Sequence, residues 1–400
     1  MEKYDISKPI KIPVGMRKLN NNPEISFQLN RLVNMDGCDL AVAQKIGPTI
    51  KTAADFYGVL KSRADIELEQ GHIKNAAALY RMSEFYTDWE DPDGLAAWKK
   101  ARELFFRYYA DFFSGEHPLV ELVNVPYDGY SMPTLKFNAE SPKGTIVMHG
   151  GFDSSYEEFF GECEYLREHG YDVYLFEGPG QGECIRLHGA PLLIEWEKPV
   201  MAVTGYFDLH NVILVGQSLG GFFAPRASAF DDRVTKCVSV AQFGALKMNF
   251  HDNAFVNGLV TGLLNVVLYG FGWLINILYA AKKGKGMPFF RTYFHRMGTT
   301  NVYRLVKFLW GIDLRPVADR LIKDYLVIGG SKDTMACRAG LGRHLLILRN
   351  ARSVSSREIT AYEQGADHCC CGNQVAAMDA ILLWAEMMER RDQSLGESQP

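Results

Sequence analysis

The chain has 400 residues, 47% apolar and 22% charged, a globular composition that excludes disorder, collagen or coiled coil as a description of the whole. Its 43 Lys+Arg against 47 Asp+Glu leave a formal charge of −4, too balanced for phosphate-backbone binding, so no nucleic-acid partner is expected. At roughly 150 residues per domain, the length allows two or three domains.

Residues 1–118 read as an N-terminal helical domain. Ile66, Ile73, Ala77, Tyr80 and Phe85 fall at helical spacing over 64–86, and Trp98, Leu104, Phe105, Tyr108 and Phe112 continue the pattern over 96–113. Asp91-Pro92-Asp93-Gly94 reads as the turn between them. From Leu119 the texture changes. Short β-branched or apolar runs at 119–125, 145–148, 172–176, 212–215, 234–240 and 325–328 alternate with amphipathic segments. That alternation predicts an α/β fold, a mostly parallel sheet with helices on both faces, built from 119–244 and 313–392. Residues 245–312 interrupt it and read as a helical insertion. Within it, 254–281 has no charge and is long enough to cross a bilayer, but it contains Asn257, Asn265, Asn276 and four glycines. A buried or pocket-lining helix pair is expected there, with peripheral membrane contact as the second reading and no integral membrane span. Residues 393–400 read as a frayed tail.

The N-terminal MEKYDI lacks the basic start and apolar run of a signal peptide. The eight cysteines, including the run Cys369-Cys370-Cys371, form no C-x-x-C pair and no zinc-type ladder. They read as reduced thiols of a cytoplasmic protein, with no metal and no organic cofactor expected.

The chemistry is concentrated in Gly216-Gln217-Ser218-Leu219-Gly220, which follows a strand-like run and opens a helix-like one. G-x-S-x-G in that context is the nucleophile elbow, whose small flanking residues leave room for a strained turn beneath the serine. Two partners follow in the order that arrangement demands. Asp333 lies just past the strand-like 325–328, and His368 precedes the helix-like 374–388. A neutral imidazole can take the proton of Ser218, and a carboxylate fixes its tautomer, so His368 is the expected base and Asp333 the expected orienting acid. Asp319, Asp324 and Asp367 are rival acids, disfavoured because none lies just past a strand end. Upstream, His149-Gly150-Gly151-Phe152 closes another strand-like run. The N–H of Leu219 with that of Gly151 or Phe152 is the expected oxyanion hole.

The segments HGGFDSSYEEFF (149–160), FEGPGQGECIRLHG (176–189), EWEKPV (195–200), VGQSLGGFFAPRASAFDDRV (215–234) and GADHCCCGN (365–373) resemble a branch of the α/β-hydrolases. That branch includes the bacterial dihydroxypseudooxynicotine hydrolase and the fungal heptaketide hydrolyase. The resemblance implies an α/β-hydrolase fold with an N-terminal helical domain and an inserted helical cap, with Ser218, Asp333 and His368 as the triad. It also implies hydrolysis of an ester or of a carbon–carbon bond beside a ketone, in an aryl ketone or polyketide. The sequence departs from the common pattern at Glu177, where Asp is usual, and at Cys369-Cys370-Cys371. Glu177 is expected to anchor its loop.

The aromatic residues of the cap, among them Phe255, Tyr269, Phe271, Trp273, Tyr279 and Tyr293, are expected to line a pocket for a bulky, largely apolar small molecule. His251, Asp252 and His295 are cap candidates for protonating a leaving carbon. Carboxylesterase, thioesterase or acyltransferase activity stays open, as does a ligand receptor without turnover on the same fold. A prolyl-oligopeptidase-type peptidase ranks last, because no propeller repeat is present. The N-terminal helices leave a homodimer open.

Overall fold

The computed structural model describes residues 2–87, 91–281 and 288–396; residues 282–287 of the basic stretch and 397–400 of the expected tail lie outside them. Five helices come first: α1 (Pro23–Asn34), α2 (Leu40–Ile46), α3 (Ala53–Glu69), α4 (Ile73–Ser83) and α5 (Pro92–Tyr108). The periodic stretch over 64–86 is not one helix, since Gly71 at φ +82° ends α3 and starts a turn. Nor is Asp91-Pro92 simply a turn. The Asp91 side chain accepts the Asp93 N–H and Pro92 takes the first helical position, so the pair starts α5.

An eight-stranded sheet follows, in the order β1-β2-β4-β3-β5-β6-β7-β8. The hairpin β1 (Val120–Tyr127) and β2 (Tyr130–Phe137) is antiparallel, and β2 also runs antiparallel to β4. Asp128 and Gly129, at φ +44° and +82°, make its two-residue turn. The remaining neighbours are parallel: β3 (Gly144–His149), β4 (Tyr171–Phe176), β5 (Val212–Gln217), β6 (Val234–Val240), β7 (Asp324–Gly330) and β8 (Ser353–Ile359). Helices α6 (Tyr156–Glu168), α7 (Gly182–His188), α8 (Glu197–Tyr206), α9 (Gly220–Ser228), α14 (Ala339–Ile347) and α15 (Gln374–Ser394) connect or flank the strands. The chain has the α/β-hydrolase fold.

Strands β2 and β8 are not legible as apolar runs. Pro133 and Lys136 interrupt β2, and β8 is a polar edge strand with only Ile359 buried. Strands β5 and β7 are buried along their whole length because both faces of the sheet are covered. Val147, Leu214 and Val327 point to one side, with Trp196, Phe222 and Phe223. Their neighbours Ile146, Met148, Val215 and Ile328 point to the other, with Phe160, Met378 and Trp384.

Between β6 and β7 the chain leaves the sheet to form α10 (Ala254–Gly270), α11 (Gly272–Ala281), α12 (Pro288–Arg296) and α13 (Val302–Gly311). An antiparallel bridge between Ala245 and Asp313 closes the neck of this excursion. Phe294, Val302, Leu305 and Val306 form its own small core.

Buried arginines join the front helices to the sheet layer. Arg31 donates to both oxygens of Glu158, at 2.7 and 3.0 Å, and to Asp153 at 3.0 Å. Arg81 holds Glu158 at 2.8 Å and pairs with Asp36. Arg102 lies between the rings of Trp98 and Tyr156, 4.4 and 4.0 Å from their centroids. It binds Glu157 at 2.7 Å, Glu177 at 2.7 Å and Glu183 at 3.1 Å.

Candidate active site

Strand β5 ends at Gln217 and α9 begins at Gly220, so Ser218 and Leu219 must reverse the chain within two residues. Ser218 does so at φ +59°, a conformation costing a non-glycine residue about 1 kcal/mol or more. The turn is pinned at both ends: the Ser218 N–H donates to Val240 O at 3.0 Å, and the Gly221 N–H to Ser218 O at 2.8 Å. A Cβ at Gly216 would stand 2.0 Å from the Gly220 carbonyl oxygen, so the elbow closes only around glycine there.

The Ser218 hydroxyl lies 2.7 Å from His368 Nε2. On the far side of the ring, His368 Nδ1 is 2.8 Å from Asp333 Oδ2. The other oxygen of Asp333 accepts the N–H groups of Met335 and Ala336, at 2.8 and 3.0 Å, which fixes the carboxylate in the loop after β7. Both Asp333 and His368 are buried. Burial favours the neutral ring of His368, but the Asp333 carboxylate outweighs it and holds the imidazole pKa well above its ordinary 6.5. The rival acids are occupied elsewhere. Asp324 binds Arg391 and Ser353, and Asp319 binds Arg349 and Asn350. Asp367 adjoins His368 in sequence, yet the ring turns to Asp333.

The loop after β3 packs directly on the elbow: a Cβ at Gly151 would come within 2.5 Å of Leu219 N and 2.8 Å of Ser218 Cβ. Gly151 itself is not a free donor, because its N–H is given to Ser154 Oγ at 2.8 Å. Of the three expected oxyanion donors, Phe152 and Leu219 are left, and neither N–H meets a protein acceptor among the described residues. Asp153, next in the loop, is held by Arg31, and despite the opposing effect of burial its carboxyl falls to about 2.

Glu177 sits behind this loop. Its oxygens accept the N–H of Tyr156 at 3.0 Å and of Glu183 at 2.8 Å, so one carboxylate caps α6 and α7 and receives Arg102 as well. It anchors its loop, as expected.

Helix α12 reaches over the site. The Tyr293 ring lies 4.6 Å from that of Phe152, and the Arg296 guanidinium lies 5.2 Å from the Phe152 centroid. Arg296 also donates to Gly180 O at 2.6 Å, and burial lowers its pKa. No sequence signal singles out Arg296, since its partners Phe152, Gly180 and Leu192 lie far earlier in the chain. His295 beside it is pushed down to about 3 by burial and by Arg296 and Arg186. His251 and Asp252 are exposed turn residues, and Asp252 accepts the Ala339 N–H at 2.7 Å. Of the aromatic residues expected to line a pocket, Phe255, Tyr269, Phe271 and Trp273 instead stand half exposed or more. Among the described residues no group of three or more metal-ligating side chains comes together.

Comparison with known proteins gives a consistent result. A family model described as alpha/beta hydrolase fold matches residues 145–262. The hydrolase acrC of Aspergillus aculeatus is 32% identical over 54% of this chain and 56% of its own. The 20-hydroxy-prefusarin hydrolase FUS2 of Gibberella moniliformis is 30% identical over 51% and 53%. The matched stretch thus spans about half the length of these curated relatives. The 2,6-dihydroxy-pseudo-oxynicotine hydrolase shares the fold with a TM-score of 0.60 at 18% identity, over 89% of this chain and 94% of that one. AbyA5 does so with 0.61 at 14%, over 90% and 95%. With an eight-stranded sheet, an elbow between β5 and α9 and relatives of this kind, the chain has the α/β-hydrolase fold and is similar, over about half its length, to these fungal hydrolases.

Proposed function

We propose that the chain is a serine hydrolase acting on the carbonyl of an ester or activated ketone, with Ser218 as nucleophile, His368 as base and Asp333 as orienting acid. The observation that carries this reading is the continuous relay from Ser218 Oγ to His368 Nε2 at 2.7 Å and from His368 Nδ1 to Asp333 at 2.8 Å. Ser218 Oγ attacks the carbonyl carbon while its proton passes to His368 Nε2. The carbonyl oxygen takes the negative charge and accepts the N–H groups of Phe152 and Leu219. Collapse breaks the bond to the leaving group, which takes the proton from His368. Water then gives a proton to His368 and attacks the acyl-serine; collapse breaks the bond from the acyl carbon to Ser218 Oγ, which takes the proton back from His368 as the acid leaves.

One observation favours a ketone, and so carbon–carbon cleavage. A carbon leaving group departs only if its charge spreads into an enolate, and Arg296 places a cation beside the loop that carries the Phe152 N–H. An ester needs no such help. We assign Arg296 to that charge and Tyr293 to the wall of the substrate site. The cap of α10–α13 then closes over a bulky small molecule.

A fluorophosphonate probe tests the nucleophile: labelling of the wild type that disappears in Ser218→Ala is expected. Labelling that persists in Ser218→Ala overturns the assignment, and so does folded wild type that neither labels nor turns over acyl substrates. p-Nitrophenyl esters beside aryl β-diketones, with products weighed by mass spectrometry, separate the two bond types. Tight binding of a ketone without product, unchanged in His368→Ala, would make the chain a receptor.

A further inference from the structure

Helix α10 is amphipathic in the wrong sense for water. Its polar stripe, Asn257, Thr261 and Asn265, faces the protein. Asn257 accepts the N–H groups of Phe250 and His251 and donates to Lys247 O at 2.7 Å. Thr261 also donates to Lys247 O, at 3.2 Å, and Asn265 accepts the Trp310 indole N–H at 2.7 Å. In α11, Asn276 accepts the Val302 N–H at 2.8 Å. The apolar stripe faces outward, with Phe255 75%, Leu259 59%, Leu263 65% and Val266 63% exposed at helical spacing. It continues onto α11 through Trp273 and Ile277, each 55% exposed. Soluble proteins rarely leave so continuous an apolar patch to water.

Charge identifies what covers it. Residues 253–312 contain no Asp or Glu, but they contain Lys282, Lys283, Lys285, Arg291, Arg296, Arg304 and Lys307. The insertion therefore carries +7 and the rest of the chain −11. Arg304 and Lys307 are exposed on α13, which packs against both α10 and α11. A second copy placed face to face on this patch would bring two equally positive insertions together. Anionic lipid headgroups are complementary to it, with the apolar stripe entering the acyl boundary below them.

We propose that the α10–α11 pair is a docking surface for an anionic membrane leaflet. It lies on the membrane and does not cross it. The two helices meet at 59°, and neither alone is long and apolar enough to span. The 17 residues of α10 extend about 25 Å, short of the roughly 30 Å hydrocarbon core.

Flotation with vesicles tests the proposal, using phosphatidylcholine alone and phosphatidylcholine with roughly one-third phosphatidylserine. The wild type is expected to float with the anionic vesicles, and added salt should weaken its binding. The double variant Leu263→Asp/Ile277→Asp should lower the bound fraction at least about tenfold while keeping the wild-type circular dichroism and melting curve. Arg304→Gln/Lys307→Gln should erase much of the preference for anionic over neutral vesicles. The proposal fails if the wild type does not float. It fails equally if the aspartate variant floats as well as wild type, or if neutral vesicles bind as tightly as anionic ones. A wild-type dimer that the aspartate pair splits, without vesicle binding, would overturn it in favour of a second copy.

Discussion

Replacing Arg102 by methionine tests whether the front helices are structurally inseparable from the site. Methionine can still fill the gap between Trp98 and Tyr156, so the substitution removes charge and hydrogen bonds with little loss of packing. Three carboxylates lose their common cation: Glu157 at 2.7 Å, Glu177 at 2.7 Å and Glu183 at 3.1 Å. Glu157 and Glu177 are buried, and breaking a buried pair from one side costs about 3–5 kcal/mol. The cost should also depend on pH. Burial pushes both carboxyls up and Arg102 pulls them back, leaving Glu177 above the ordinary range and Glu157 below it. Without Arg102 both rise, so the folded variant holds protons that the unfolded chain releases. Its stability then falls as pH climbs from the ordinary carboxyl value, by up to about 1.4 kcal/mol per pH unit for each group. Urea unfolding, followed by circular dichroism, should show a loss near the lower bound at about pH 5 and a larger one at about pH 8. A loss below about 1 kcal/mol, or one equal at both pH values, would refute the reasoning.

Four further outcomes follow from the site and the residues behind it. Because the His368 pKa is raised and the ring must be neutral to accept a proton, kcat/KM should climb with pH through an ionisation above 6.5. Asp333→Asn should bring that limb down and cut kcat by about 1,000-fold or more; an unmoved limb would count against the pairing. Glu162, buried against Gln217, is raised from an ordinary 4.5 to about 8, so the native state holds its proton and loses stability as pH rises through that window. Glu162→Gln should therefore melt higher than wild type at about pH 8 and no higher at about pH 5, and equal shifts at both would contradict the assignment. Arg296→Gln should lower kcat for ketone cleavage by about 10- to 100-fold and leave p-nitrophenyl ester turnover nearly unchanged. An equal loss on both substrates would assign Arg296 to folding.

What the sequence revealed and what it hid have different physical causes. Ser218, Asp333 and His368 each sit just after a strand or just before a helix, so local patterning flags them one at a time. The choice between Gly151 and Phe152 was not legible, because it depends on whether the Ser154 hydroxyl turns back to take the Gly151 N–H. The arginine seam was hidden for a similar reason: Arg31 and Glu158 lie 127 positions apart in the chain. β2 and β8 were missed where a proline and an edge of serines displaced the apolar run. The uncharged stretch at 254–281 is helical, as its pattern predicts, but it is not buried: its apolar stripe faces out, and nothing in its composition says which stripe faces water. That is decided by Lys247, Val302 and Trp310, whose polar groups draw its asparagines inward.

The left-handed backbone at Ser218 has a bearing on the chain's descent as well as its chemistry. Glycine would occupy that point without strain, and so would gain about 1 kcal/mol over serine. Drift alone should therefore erode the serine in any lineage that no longer needs its hydroxyl. The residue found at this one turn in a descendant would serve as a gauge of use: serine where the hydroxyl still works for its host, glycine where the fold has been released to other duties.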